Sequence, residues 1–456
     1  MFRPTRAEFR ALVRLALPLA AVQVGQMLMG VVDTAMVGRY SDAALAATAV
    51  ANVWFFALST IGMGCLSVLD PVISQAFGAR DEAAIARGIQ RGFLLAVIVT
   101  VPTALGLLPV EPVLAAARQP AEIIPIAGRY LELIVPGVLP YFGFMAVRES
   151  VQALGIIRPL LVVIVGANLL NAGANWILIF GHLGAPELGV AGAAIATTVS
   201  RWAMFLGLGL LTWGHLAPRV RHWYPEVFHW APMARMLGIG LPIGFQILFE
   251  YGVFGGVGLL MGRFGTAAVA GHQIALNLAA TAFMVPFGVG IATSVLVGRS
   301  VGADRPDEAR RFAGAGLVTG IGFMMLTAAV FLLAPGLLLR AYSPGPAVAA
   351  VALTLLPLAG AFQVFDGAQT VALGALRGVG DTKVPVLINL VGYYLVGLPI
   401  GLWFGFERGQ GPRGLWWGLV AGLAVVALVL FGRVRLRLGG ALARLVVDHR
   451  QADVPG

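Results

Sequence analysis

The chain has 456 residues, of which 59% are hydrophobic and only 11% are charged, with a mean hydropathy of +0.88. A soluble domain carries about 25% charged residues, so this composition argues against a soluble protein with many buried helices. Apolar runs of roughly 20 residues, enough to cross the hydrocarbon core of a bilayer, recur along the whole chain. The composition therefore predicts a protein that is embedded in lipid.

The net charge of +10 does not indicate a nucleic-acid partner. The basic residues flank the apolar runs as single charges and short clusters, which is typical of membrane topology. The single cysteine, Cys65, excludes an intramolecular disulfide and any site built from several cysteines. The apolar stretch near the N-terminus continues to about residue 38, which is too long for the hydrophobic region of a cleavable signal peptide.

Twelve apolar segments are long enough to span a membrane, and all are predicted to be helices because an open sheet cannot satisfy its backbone in lipid. Of the 31 lysines and arginines, 23 fall on the side of the N-terminus and 7 on the other side, with Arg201 inside a span. Cytoplasmic segments are enriched in these residues, so both termini are expected in the cytoplasm. The predicted spans are 13–38, 46–69, 88–109, 124–147, 159–181, 189–213, 236–262, 268–297, 310–334, 347–371, 384–406 and 414–436.

The two halves of the chain repeat each other at an offset of 224 or 225 residues. Each half has six predicted spans, so both enter the membrane in the same direction, and transporters often bind their substrate between such repeats. The repeat predicts an N-terminal lobe (1–213), a cytoplasmic linker (214–235), a C-terminal lobe (236–437) and a cytoplasmic tail (438–456). The matching segments are LALPLAAVQ (15–23) with IGLPIGFQI (239–247), AFGARDEA (76–83) with SVGADRPD (300–307), QALGIIRP (152–159) with RGVGDTKV (377–384), and GVAGAAIA (189–196) with GLWWGLVA (414–421).

Three acidic residues stand out well inside predicted spans: Asp33 in span 1, Glu250 in span 7 and Asp366 in span 10. An ionisable group at this depth costs about 2.5–3.5 kcal/mol on insertion scales, so each is a functional candidate. The spans contain no lysine, and Arg201 is the one cation well inside a span, so structural ion pairs do not account for all three acids. A structural role for each acid, as a protonated and hydrogen-bonded side chain, stays open at this point.

Amides and hydroxyls accompany these acids at helical spacing, which places them on shared helix faces. Their other interpretation is hydrogen bonding between helices, worth about 0.6 kcal/mol per contact. Pro18 and its repeat partner Pro242 lie inside spans 1 and 7 and favour kinks there. The candidate polar residues are Gln26, Asn168, Asn171, Asn175, Thr197, Thr198, Gln246, Gln273, Asn277, Thr281, Gln363 and Gln369.

An acidic interior lined with amides suits a cationic guest. Carboxylate and amide oxygens bind hard cations such as sodium, so a sodium site at Glu250 and Asp366 is one expectation. The same carboxylates can instead carry protons. Asp70 and Glu132 lie nearer the ends of spans and are weaker candidates. Aromatic and methionine side chains could contact flat organic cations, although packing against lipid or the core explains most of them better.

These motifs resemble the multidrug and toxic compound extrusion (MATE) family of transporters, in its bacterial NorM-like branch. The resemblance covers roughly residues 10–440. The motif around Asp366 is the most specific, because it joins an acid within a span to an LRGxGDT turn. The segments that carry the resemblance are LPLAAVQVGQMLMGVVDTAMVG (17–38), QALGIIRP (152–159), NLLNAGANW (168–176), FQILFEYG (245–252) and FDGAQTVALGALRGVGDTKVP (365–385).

The resemblance implies an all-α membrane protein, with twelve transmembrane helices in two six-helix pseudo-symmetric lobes around a central cavity. It implies alternating access, in which organic cations leave in exchange for sodium ions or protons. Glu250 and Asp366 match residues that are implicated in cation coupling in the second lobe.

In the first lobe, Asp33 with Asn171, Asn175 and Thr198 matches a polar cluster. Pro18 matches a proline at which some relatives bend. Asp70 and Glu132 are not part of the family pattern. Two lobes already enclose a cavity, so a monomer in the bilayer would suffice, with small organic cations as partners and no cofactor other than the coupling ion.

Several other functions remain as alternatives. A lipid-linked oligosaccharide flippase of the same superfamily would need cationic side chains to hold a pyrophosphate, whereas these spans offer acids. A membrane enzyme is not indicated, because no His-Glu metal motif or nucleophile elbow occurs and His272 lies at a span end, where an interfacial role is expected. The chain has no P-loop for a nucleotide-driven pump. A channel or a structural scaffold would differ from an antiporter in lacking countertransport.

Overall fold

The structure is a computed structural model that describes residues 3–448. The regular elements of this range are helices, as the sequence predicts, because a helix in lipid satisfies each backbone amide within its own segment. The helices are α1 (Arg6–Tyr40), α2 (Asp42–Ser67), α3 (Leu69–Gly78), α4 (Glu82–Leu107), α5 (Val110–Ala116), α6 (Ile124–Ile134), α7 (Val138–Ala153), α8 (Arg158–Phe180), α9 (Val190–Leu211), α10 (Trp213–Val220), α11 (Trp230–Met261), α12 (Thr266–Gly302), α13 (Pro306–Leu333), α14 (Pro335–Arg340), α15 (Pro346–Gly378), α16 (Lys383–Leu390), α17 (Leu398–Leu402) and α18 (Pro412–Gly439).

Twelve helical segments within residues 3–448 are long and apolar enough to cross a membrane. Each overlaps one of the twelve predicted spans, which confirms the prediction of an all-α, multi-pass membrane protein. Leu169 in α8 and Leu259 in α11 are 71% and 82% exposed. Such exposure of large apolar side chains is expected where they face lipid.

Three of the twelve segments are interrupted by irregular turns. The first break falls at Val68, between α2 and α3, and the second is a 3₁₀ turn at Val135–Gly137, between α6 and α7. The third segment contains two π-helical stretches, Val391–Gly397 and Trp403–Glu407, on either side of α17. Turns of π-helix inside longer helices often mark functional positions.

Packing divides the chain into two compact units. The first unit is Val24–Gly244 with the described residues that follow Leu445, and the second is Phe245–Leu445 with the described residues up to Gln23. The boundaries therefore fall inside α1 and α11, shortly after Pro18 and Pro242. A long helix contacts different neighbours along its length, so its two parts can belong to different units.

The predicted lobes, 1–213 and 236–437, assign each of these two helices to one lobe only, and they stay a prediction. Residues 1–2 of the N-terminal lobe and 449–456 of the predicted cytoplasmic tail lie outside the described residues. Residues 438 and 439 of that tail continue α18.

Glycines allow helix backbones to approach closely within each unit. In the first unit, a Cβ atom on Gly64 would collide with the backbone of Gly244. In the second unit, a Cβ atom on Gly374 of α15 would collide with the carbonyl oxygen of Gly290 in α12. Small residues at such crossings let helices pack by van der Waals contact where lipid offers no hydrophobic drive.

The sequence repeat is visible in backbone geometry. Left-handed φ angles occur at Arg80 (58°) and Asp304 (55°), and again at Gly155 (73°) and Gly380 (77°). Both pairs have the register that the repeat predicts. Residues with a side chain rarely adopt such angles, so the agreement at Arg80 and Asp304 is specific.

One predicted repeat pairing is wrong by three residues. Gly189 and Gly411, with φ of 54° and 58°, immediately precede α9 and α18. Gly189 therefore corresponds to Gly411 and not to Gly414. The left-handed glycine fixes where each helix begins, whereas small and apolar residues within the helices fit several registers.

Candidate functional site

The predicted acids lie in two polar clusters, one inside each unit. The Asp33 cluster, in the first unit, comprises Asp33, Asn171, Asn175 and Arg201. The Glu250 cluster, in the second unit, comprises Glu250, Asp366, Gln369 and Tyr393.

In the Asp33 cluster, α1 presents the carboxylate and α8 presents the amides. The Asn175 side-chain nitrogen, Nδ2, donates a hydrogen bond to Oδ1 of Asp33 at 2.5 Å and lies 3.3 Å from Oδ1 of Asn171. Both asparagines are fully buried. Hydrogen bonds to a charged acceptor are about twice as strong as neutral ones, so the amides hold Asp33 in a defined position.

Two other predicted residues of this region bond to backbone atoms. The hydroxyl of Thr198 on α9 donates to the carbonyl oxygen of Leu133 at 2.8 Å, which ties α9 to the end of α6. The Asn168 side chain donates to the carbonyl oxygen of Gly25 at 3.0 Å. Thr198 therefore positions the helix that carries Arg201.

Arg201 on α9 brings a positive charge into this cluster. Its guanidinium lies over the ring of Phe55 at 4.2 Å and over the ring of Tyr141 at 5.1 Å, measured to the ring centroids. It also interacts electrostatically with Asp33. One acid and one arginine thus share the Asp33 cluster.

In the Glu250 cluster, α11 supplies Glu250, and α15 and the π-helical stretch Val391–Gly397 supply the polar side chains around it. The Gln369 side-chain nitrogen, on α15, donates to Oε1 of Glu250 at 3.1 Å. The Tyr393 hydroxyl lies 3.1 Å from Oε1 of Gln369 and 3.4 Å from Oε1 of Glu250. Asp366, buried on α15, interacts electrostatically with Glu250. Two carboxylates with amide and hydroxyl oxygens are the ligand types that a hard cation prefers.

Tyr393 is the residue of this cluster that the sequence did not single out. It lies in the π-helical stretch Val391–Gly397 and is 1% exposed. A tyrosine hydroxyl in an apolar span needs a hydrogen-bond partner, and this is the one sequence feature that could have indicated Tyr393 as part of a polar cluster. Tyrosine is also common at both membrane surfaces, so the residue type alone does not identify a site.

The other predicted glutamines bond elsewhere in their units. Gln26 accepts a hydrogen bond from Arg148 at 3.2 Å instead of joining Asp33. The side-chain oxygen of Gln363 accepts from Thr327 at 2.8 Å. Gln363 and Gln369 therefore flank Asp366 as predicted but bond to different helices. Gln246, one turn before Glu250, is buried at 3% exposure.

On α12, Gln273 donates to Asn277 at 3.1 Å, so this predicted stripe bonds along its own helix. Glu132 forms an exposed pair with Arg129 at 3.1 Å. Exposed pairs contribute about 0–1 kcal/mol, so this ion pair adds little to stability. Asp70 is buried in α3 at 6% exposure.

His272 is buried within the second unit. It is 2% exposed, and its Nδ1 atom accepts a hydrogen bond from the indole of Trp416 at 3.1 Å. It lies near the start of α12, which begins at Thr266, close to the predicted span start at residue 268, and its interfacial role stays a prediction.

Comparison with known proteins gives the family. The MatE family model matches residues 18–177 and 242–403. The chain is 38% identical over 439 residues to the multidrug resistance protein NorM of Burkholderia vietnamiensis, which covers 94% of each chain. It is 35% identical over 458 residues to the multidrug resistance protein PmpM of Pseudomonas aeruginosa, which covers 98% of this chain and 94% of that protein.

Solved structures agree with the sequence comparison. The crystal structure of the eukaryotic MATE transporter AtDTX14 matches with a TM-score of 0.86 at 25% identity, covering 94% of this chain and 96% of that one. A MATE transporter of Vibrio cholerae, VcmN in its bent form, matches with a TM-score of 0.82 at 21% identity and shares the fold. The chain belongs to the MATE family of transporters, in its bacterial NorM-like branch.

Proposed function

We propose that this protein is a secondary active multidrug efflux transporter, which exports organic cations in exchange for sodium ions or protons. The observation that carries the proposal is the Glu250 cluster, where the half-buried Glu250 and the buried Asp366 interact electrostatically beside an amide and a phenol. Its relatives NorM and PmpM are named multidrug resistance proteins.

Glu250 and Asp366 are the proposed binding site of the coupling ion. Two negative charges held close together in a medium of low dielectric repel each other strongly. A sodium ion or a proton bound there removes that repulsion. The oxygens of Gln369 and Tyr393 would complete the coordination of a sodium ion, which needs several oxygen ligands.

Asp33, with the buried amides of Asn171 and Asn175, is the proposed site of competition between organic cation and coupling ion. A ligand shifts a conformational equilibrium only through its different affinities for the two states. Competition for the same negative charge would therefore couple ion entry to drug release. The remaining amides, Gln246 and Gln363 among them, would shape the polar lining.

Pro18 is the proposed hinge for alternating access. Proline lacks the N–H group that would bond one turn back in the helix. The boundary between the two units follows Pro18 along α1, where a bend would cost least. We further propose that the protein acts as a monomer in the bacterial inner membrane, with both termini in the cytoplasm.

The decisive test is efflux of fluorescent ethidium from proteoliposomes, with a sodium gradient and a proton gradient imposed separately. One gradient should drive efflux, which names the coupling ion. The double variant Glu250→Gln/Asp366→Asn should abolish gradient-driven efflux, whereas the exposed Glu132→Gln variant should keep it. Full activity of the double variant would refute the coupling site. Failure of both gradients with several cations would favour the oligosaccharide flippase.

A further inference from the structure

The positive charge of Arg201 has no role in the transport cycle proposed above. Within residues 3–448 it forms no ion pair, and its Nη1 atom is buried without a hydrogen-bond partner. Its Cδ atom packs at 3.2 Å from the position that a Cβ atom on Gly137 would take. The side chain is therefore held by packing and by the two ring faces, Phe55 and Tyr141, and not by a carboxylate.

Arg201 interacts electrostatically with Asp33, Tyr130 and Tyr141. Phenols are neutral near pH 7, so the charge of the Asp33 cluster is set by one acid and one base. With Asp33 ionised the two charges balance. When a proton or sodium ion neutralises Asp33, the cluster is left with one positive charge.

We propose that Arg201 expels the organic cation from the Asp33 cluster once Asp33 has taken up the coupling ion. This inference rests on the proposed antiport function and names the group that makes the competition effective. A positive charge in a medium of low dielectric repels a second cation over several ångströms.

Without Arg201, the neutralised cluster would have no charge to expel the drug. The faces of Phe55 and Tyr141 would also be free to bind the organic cation, since aromatic faces attract cations. Arg201 therefore both occupies these rings and supplies the repulsion.

A double-mutant cycle on the full-length protein in nanodiscs tests this directly, with ethidium binding followed by fluorescence. In the natural background, Asp33→Asn should raise the Kd about tenfold, because Arg201 is left uncompensated. In the Arg201→Gln background, the same Asp33→Asn change should raise the Kd less than about threefold. Equal factors in both backgrounds would overturn the inference.

Controls separate charge from packing. Arg201→Lys keeps the charge and should preserve the large effect of Asp33→Asn, whereas Arg201→Met, which keeps an apolar stem, should behave like Arg201→Gln. Melting temperatures identify variants that fold, and either neutral variant can complete the cycle. If the natural protein binds neither ethidium nor tetraphenylphosphonium, the proposed function fails together with this inference, whereas equal factors overturn the inference alone.

Discussion

The Asp33 cluster and the Glu250 cluster belong to corresponding halves of one sequence repeat, yet their charges differ. The first contains one acid and one arginine, while the second contains two acids that interact with each other, of which Glu250 also interacts electrostatically with Arg377. At the repeat offsets, Gln26 corresponds to Glu250 and Tyr141 corresponds to Asp366. The backbone repeats, but the ionisable positions do not.

Because their charges differ, the two clusters suit different tasks. A balanced pair changes from neutral to positive when its acid is neutralised, which suits the release of an organic cation. A pair of acids is instead relieved by a small cation. Each half of the repeat is therefore expected to serve a separate part of the proposed exchange: the first half binds and releases the organic cation, and the second half binds the coupling ion.

The largest expected effect separates ion coupling from drug binding. Glu250→Gln should lower the initial rate of gradient-driven ethidium efflux about 100-fold, because it removes one of the two carboxylates proposed to bind the coupling ion. This factor corresponds to about 2.7 kcal/mol. Its Kd for ethidium should stay within about threefold. Asp33→Asn should instead weaken ethidium binding itself. Efflux assays and binding titrations on the same preparations check both, and identical behaviour of the two variants would show that the clusters share one task.

A smaller effect is expected from the hydroxyl of Tyr393. Tyr393→Phe leaves Oε1 of Gln369 without this partner, and a lost hydrogen bond costs about 1 kcal/mol. The concentration of sodium ions or protons for half-maximal efflux should rise about fivefold. The control is Tyr394→Phe, because the neighbouring hydroxyl bonds to the carbonyl oxygen of Phe249 at 2.9 Å. Equal shifts in both variants would mean that Tyr393 has no specific role in the Glu250 cluster.

The smallest effect concerns stability of the first unit outside the membrane. Asp448 bonds to Arg87 at 2.7 Å and to Arg91 at 2.6 Å. Burial raises the pKa of Asp448, but hydrogen bonds and attraction from Arg91 and Arg87 outweigh it and hold the pKa below its ordinary value. A lowered pKa means that this stabilisation is present above the unfolded-state pKa and is lost as the pH falls through the folded-state pKa.

Asp448→Asn should therefore lower the melting temperature by a few degrees at pH 7, and the difference should shrink as the pH falls below about 4 and vanish only below the lowered folded-state pKa of Asp448. Asp307→Asn is the control, because Asp307 forms an exposed pair with Arg310 at 2.8 Å and should change little at any pH. A difference between Asp448→Asn and the natural protein that persists in acid would show that the ion pairs are not its cause.

Some of the site followed from the sequence, and some did not. Asp33, Asn171 and Asn175 were predicted together, and the structure brings them within hydrogen-bonding distance. Gln26 shares a helix face with Asp33 by spacing but bonds to Arg148. Helical periodicity identifies which residues share a face, but it does not identify the helix that packs against each part of that face.

The number of spans, the helical class and the acids within the spans could be predicted from the sequence, because the length and composition of an apolar run alone decide whether it can cross a bilayer as a helix. The contact of Tyr393 with Glu250, and the stacking of Arg201 on Phe55 and Tyr141, could not be predicted from the sequence and are seen only in the folded structure. These partners lie far apart in the chain. Their contacts depend on where each helix begins, on a π-helical stretch and on glycine crossings, all of which are settled only when the helices pack.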